Sequence, residues 1–268
     1  MLKKLLKYDL FDLYRRIAVH YALLVGIAVA TRIVSAIGST SVIMTVIEKI
    51  LQGTTVALTC NAVINALIIP WTNFKHKLYG DQSYLTHTLP VSKAQLIISK
   101  FISTVILMLT TAALAVLSLT FAFSVNVNWL SDMIRSFAST IGANAAELVT
   151  VLALSALFEF IGLSECGFSG ILIGYGLRSS RGLVSVIVTI ALHLLCGTVS
   201  IMFLLIGAIF EPDILKIFTE ATAGAANLPM TFGILRTAMV TTVISYGLCA
   251  VALLPLNIKL LSRGVNVD

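Results

Sequence analysis

Residues 95–123 read QLIISKFISTVILMLTTAALAVLSLTFAF, and the only charge among them is Lys100, near the start. Crossing the roughly 30 Å hydrocarbon core of a bilayer takes about 20 residues of helix, so this run predicts a membrane-spanning helix. Five further apolar stretches reach that length: 17–37, 50–72, 145–177, 182–210 and 233–261. The bulk composition agrees. Hydrophobic residues make up 58% of the 268 and charged residues 11%, against about 45–50% and about 25% for soluble domains, and the mean hydropathy is +1.01. The expected fold is an all-α integral membrane protein with six transmembrane helices over 17–268. There is no internal repeat, low-complexity run or large soluble insertion.

The polar pieces carry the remaining organisation. In residues 1–16, MLKKLLKYDLFDLYRR, Leu2, Leu5, Leu6, Leu10, Leu13 and Tyr14 form a helical stripe opposite Lys3, Lys4 and Lys7. That pattern predicts an interfacial amphipathic helix under the first span. Asp9, Asp12, Arg15 and Arg16 separate the basic start from the apolar run, which argues against a cleaved signal. Between the second and third spans lies Lys75–Lys93, KHKLYGDQSYLTHTLPVSK. Within it Tyr84, Leu85, Thr88 and Leu89 recur at i, i+1, i+4, i+5, so a short helix after Asp81 presents one apolar face to a partner. Asp81 caps its start, and Pro90 ends it by excluding the preceding residue from helical backbone. Ser92 and Gln95 then read as a capping box that opens the next span.

Orientation follows from the eighteen Lys and Arg residues. Thirteen (Lys3, Lys4, Lys7, Arg15, Arg16, Lys75, Lys77, Lys93, Lys100, Arg178, Arg181, Lys259, Arg263) fall on the side of the termini and of the two–three and four–five loops. Four (Lys49, Arg135, Lys216, Arg236) fall on the other, and Arg32 sits in the first span. The positive-inside rule makes both termini and the 80–90 helix cytoplasmic, in the plasma membrane. The net charge of +6 thus reflects topology and anionic lipid headgroups, with no support for nucleic acid as a partner. The external connections are 38–49, 124–144 and 211–232, the last long enough for short re-entrant or surface helices.

Ionisable and amide side chains inside spans are expensive and mark candidate transport-path positions: Arg32, Asn61, Asn65, Glu159 and Glu165. Asn61 and Asn65, at i, i+4, suit gluing one helix to another. Glu159 and Glu165 lie about 240° apart around a helix and so do not share a face. The fourth stretch is too long for a simple span and must tilt, project outward or break, with Gly162, Gly167 and Gly170 as the expected break points. Cys60, Cys166, Cys196 and Cys249 lack C-x-x-C spacing and read as apolar fillers.

Neither H-E-x-x-H nor the phosphate loop G-x-x-x-x-G-K-[ST] occurs, so the chain carries no metalloprotease or ATPase signature. No catalytic residue, bound cofactor or metal is assigned to it. Gly167-Phe168-Ser169-Gly170 resembles the G-x-S-G of rhomboid intramembrane proteases, with His193 as the one candidate base. That leaves a protease as an alternative. A second alternative is a secondary transporter driven by an ion gradient through Glu159 or Glu165.

The basic amphipathic start, the Tyr84-Leu85-Thr86-x-Thr88-Leu89-Pro90-Val91-Ser92 segment followed by Gln95 and Lys100, and the Gly174–Gly182 turn together resemble the permease subunits of ABC transporters of the second exporter type. Gln82-Ser83 departs from the acidic residue and glycine usual there. The resemblance implies a transport subunit with no enzymatic activity of its own. In it Asp81, Tyr84, Leu85, Thr86, Thr88, Leu89 and Pro90 form a coupling helix. Two copies of a separate ATP-binding subunit hold ATP and magnesium, and a second permease copy or a homologous permease frames the export path. The implied cargo is amphipathic peptides or hydrophobic small molecules.

Overall fold

The computed structural model describes residues 2–37, 41–80, 83–88, 91–124, 127–177, 181–216 and 231–262. Among them are eight helices and no strand: α1 (Leu2–Ile37), α2 (Val42–Tyr79), α3 (Ser83–Thr88), α4 (Lys93–Ala122), α5 (Val127–Thr140), α6 (Ala145–Gly176), α7 (Arg181–Gly207) and α8 (Phe232–Ser262). Six of these (α1, α2, α4, α6, α7 and α8) are long and apolar enough to cross a membrane. The chain is an all-α, multi-pass membrane protein.

The helices divide into two compact units, one ending at Leu130 and the other beginning at Ser131. In the first, α1, α2 and α4 each pack against the other two. Leu13 and Ile17 of α1 meet Ala66 and Ile69 of α2 and Leu107 of α4 in a closed apolar core. Hydroxyls tie the same helices together: Tyr14 Oη donates to Thr110 Oγ1 at 2.9 Å, Tyr21 and Thr111 share a 2.5 Å bond, and Thr31 and Thr55 a 2.8 Å bond. Such bonds hold spans together where lipid offers no hydrophobic driving force.

Residues 2–16 form the opening turns of a single α1, continuous with the first span. Nothing between Leu2 and Ile37 ends a helix, because Arg15-Arg16 changes polarity without supplying a proline or a cap. At the end of the leucine stripe Leu13 is buried, and Tyr14 packs beside it. The 124–144 connection also holds a helix of its own, α5. Asp132 and Arg135 are exposed on it while Ala138 is buried. Its end is a Schellman turn, with Ala143 N bonded to Ala138 O, Gly142 N to Ser139 O, and Gly142 at φ +73°, a backbone that glycine adopts without strain.

In the second unit α6 packs on α7 and α8, and α7 on α8. The expected break in the fourth stretch is absent, since α6 runs unbroken from Ala145 to Gly176. Its glycines admit neighbours instead. A Cβ on Gly162 would lie 2.4 Å from the Tyr246 ring, and one on Gly170 would lie 2.8 Å from Ser185 O. On Gly174 it would come within 2.5 Å of the Ser185 backbone nitrogen. A glycine in a membrane helix either loosens it or lets another backbone approach, and here contact decides. Gly174→Ala must therefore push α7 away, which is expected to cost about 1–3 kcal/mol, the usual penalty of overpacking. Gly197→Ala, with open space around it, should be neutral. Thermal unfolding of the two purified variants checks this, and equal midpoints would contradict the packing.

Few residues of α7 are buried, and Leu183, Val186, Ile187, Ile190, Leu194 and Leu195 are exposed along it. That is the surface a helix presents to hydrocarbon.

Candidate functional site

The 80–90 region forms the expected short helix, α3, from Ser83 to Thr88. Tyr84 is 76% exposed, Thr88 is exposed, and Ser83 is buried at the base. Leu85 and Thr86 lie in the helical backbone, whereas Asp81, Leu89 and Pro90 fall outside the described residues. The restart is as the sequence reads. Ser92 caps α4, its Oγ accepting from Gln95 N at 3.2 Å, which satisfies one of the open donors of the first turn.

Beneath α3 lies a cluster that sequence reasoning missed. Asp9 of α1, 3% exposed, accepts at Oδ1 from Lys77 Nζ of α2 at 3.2 Å and from Lys100 Nζ of α4 at 2.5 Å. Its Oδ2 accepts from Ser99 Oγ at 2.8 Å. Lys77 also pairs with Asp12 at 2.9 Å, and Asp12 with Arg16 at 3.5 Å. Lys77 precedes α3 and Lys100 follows it, so one carboxylate holds both arms of the α2–α3–α4 elbow to the first helix. Lys100 is itself buried. Removing one partner of a buried pair leaves an uncompensated charge, which makes this junction stiff. The signal was present in the sequence: Asp9 sits on the apolar stripe between Leu5 and Leu13, and Lys100 interrupts an apolar span.

The second unit holds one buried polar network. Asn257 Nδ2 of α8 donates to Glu165 Oε2 of α6 at 2.6 Å, and Asn257 Oδ1 lies 2.7 Å from Ser169 Oγ. Glu165, Ser169 and Asn257 are all fully buried. Glu165 Oε1 has no hydrogen-bond partner among the described residues. Glu159 is exposed, so the two glutamates are separated as their spacing requires.

The protease geometry is not formed. The Ser169 hydroxyl lies within bonding distance of Asn257 Oδ1 and of Glu165 O. His193 Nδ1 is buried without a hydrogen-bond partner among the described residues, and its ring lies 6.2 Å from that of Tyr246. A serine nucleophile needs its base within hydrogen-bond reach.

The other candidate path residues do not converge either. Asn65 Nδ2 donates to Asn61 O at 2.9 Å and to Asn61 Oδ1 at 3.2 Å, so among the described residues this pair bonds along α2. Arg32 is half-buried in the last turns of α1, without an ion pair among the described residues. Cys166 and Cys196 bring their sulfurs to 3.8 Å within an apolar cluster that includes Tyr246, Leu253 and Cys249. Among the described residues no group of histidine, cysteine and carboxylate side chains can hold a metal ion.

No protein-family model, curated protein or solved structure matches this chain.

Proposed function

We propose that the chain is the permease subunit of an ATP-driven ABC exporter of the second exporter type, docking through α3 onto a separate ATP-hydrolysing subunit. One observation carries this reading: a short exposed helix is set between two spans whose flanking lysines are both gripped by the buried Asp9. A push on α3 would pass into α2 through Lys77 and into α4 through the Ser92 cap and Lys100, and Asp9 would carry it to α1. Alternating access driven by a partner needs such a lever joined directly to the spans. In this reading both termini and α3 face the cytoplasm of the plasma membrane. Two permease chains pair with two ATP-binding subunits that hold ATP and magnesium, and amphipathic peptides or hydrophobic small molecules leave the cell. The test is recruitment of that ATPase by a Leu85→Asp variant.

A gradient-driven transporter is the second reading, favoured by the unpartnered oxygen of the buried Glu165. Under it, Glu165→Gln should abolish proton-linked transport while folded yield is unchanged. Under the exporter reading, transport by Glu165→Gln in proteoliposomes should stay within about twofold of wild type and should depend on ATP. Transport sustained by a proton gradient without ATP would decide for the second reading.

A further inference from the structure

At the end of the second unit remote from Glu165, α7 and α8 part around a cavity of about 390 Å³, within the roughly 300–1,000 Å³ range of ligand pockets. Its walls are apolar: Ile206 and Phe210 on one side, Val240 and Ile244 on the other. Two charged residues, Glu211 and Arg236, also line it. They are not equivalent. Arg236 already faces Glu147 at 3.6 Å, whereas the Glu211 carboxylate has no ion pair among the described residues.

The placement of Glu211 is built in. Its three carboxyl atoms each lie 3.0 Å from where a Cβ on Gly233 would stand, so the carboxylate sits close against the α8 backbone at Gly233. The carboxylate rests over the first turn of α8, where a negative charge is favoured. Of the two charged residues lining the cavity, Glu211 is therefore the one left without an ion pair among the described residues.

We infer that this cavity binds a lipophilic cation, its positive group at Glu211 and its apolar body between Ile206, Phe210, Val240 and Ile244. An anion of the same shape meets the uncompensated carboxylate and is excluded; a purely apolar molecule gains nothing from it. As a substrate site the assignment rests on the exporter reading. As a binding site it does not, and binding is what the test reads.

The probes are tetraphenylphosphonium and tetraphenylborate, alike in shape and opposite in charge, measured as saturable binding to the purified chain in nanodiscs above that of empty nanodiscs. Wild type should bind the phosphonium at least about tenfold more tightly than the borate. Glu211→Gln, which keeps size and packing, should lose about tenfold for the cation, the scale of one partly screened charge contact. Val240→Trp, which fills the slot, should abolish saturable binding. Arg236→Gln releases Glu147 from its partner and should tighten cation binding about threefold, a gain that misfolding cannot imitate. Equal binding of the two ions, or wild-type affinity in Glu211→Gln, would overturn the proposal while leaving ATPase recruitment through α3 untouched.

Discussion

Replacing Asp9 by alanine is expected to lower the thermal midpoint of the purified chain by roughly 10 °C, the consequence of about 3–5 kcal/mol. The size follows from what is left behind. Lys100, almost wholly buried, loses the one ion pair it makes among the described residues, and Lys77 keeps its pair with Asp12. Breaking a buried pair from one side costs more than deleting both sides, because the remaining charge is neither solvated nor compensated. Asp9→Leu combined with Lys100→Met should therefore recover most of the lost stability, with Lys77 and Asp12 still paired. Fluorescence-monitored unfolding of the three proteins in detergent decides the matter. A single variant as stable as wild type, or a double variant no better than the single, would show that the cluster is not a stabilising junction. The double variant carries a further expectation under the proposed function. With the fold restored but the Asp9 link from α1 to Lys100 of α4 gone, ATP hydrolysis should persist while transport falls.

Much of the architecture was legible because it is local. Six long apolar runs and the short helix after residue 81 follow from composition and spacing, and Ser92 caps the span it was read to cap. What local reading could not supply was the neighbour. Gly162, Gly170 and Gly174 serve close contact with Tyr246 and Ser185, and nothing in the α6 sequence distinguishes that use from a break. The first sixteen residues have an interfacial pattern, and at its end Leu13 and Tyr14 pack with Ala66 and Ile69 of α2 and Leu107 of α4. Glu165 was singled out by its cost in a bilayer, whereas its partner Asn257 stands 92 positions away. Asp9 was the readable omission: an acid on an apolar stripe, in a chain with a lysine inside an apolar span, predicts a buried pair whose members only tertiary structure can match.

The second large effect concerns α3. Leu85→Asp places a charge on the face proposed to enter a groove of the ATPase. An unpaired buried charge or polar group costs several kcal/mol, and about 2.8 kcal/mol already corresponds to a hundredfold loss of affinity. The variant should still insert and fold, because α3 makes contacts only with α2 among the strongly packed elements. Pro90→Ala should leave recruitment within about threefold, since it alters the end of the lever and not its docking face. The decisive measurement is purification of the chain from its native membranes, with ATP hydrolysis and the co-purified subunit read from the eluate. The account predicts that wild type and Pro90→Ala bring down an ATP-hydrolysing partner and that Leu85→Asp, equally folded, does not. Recovery of the same ATPase with wild-type and Leu85→Asp chains, or of none with the wild type, would contradict it.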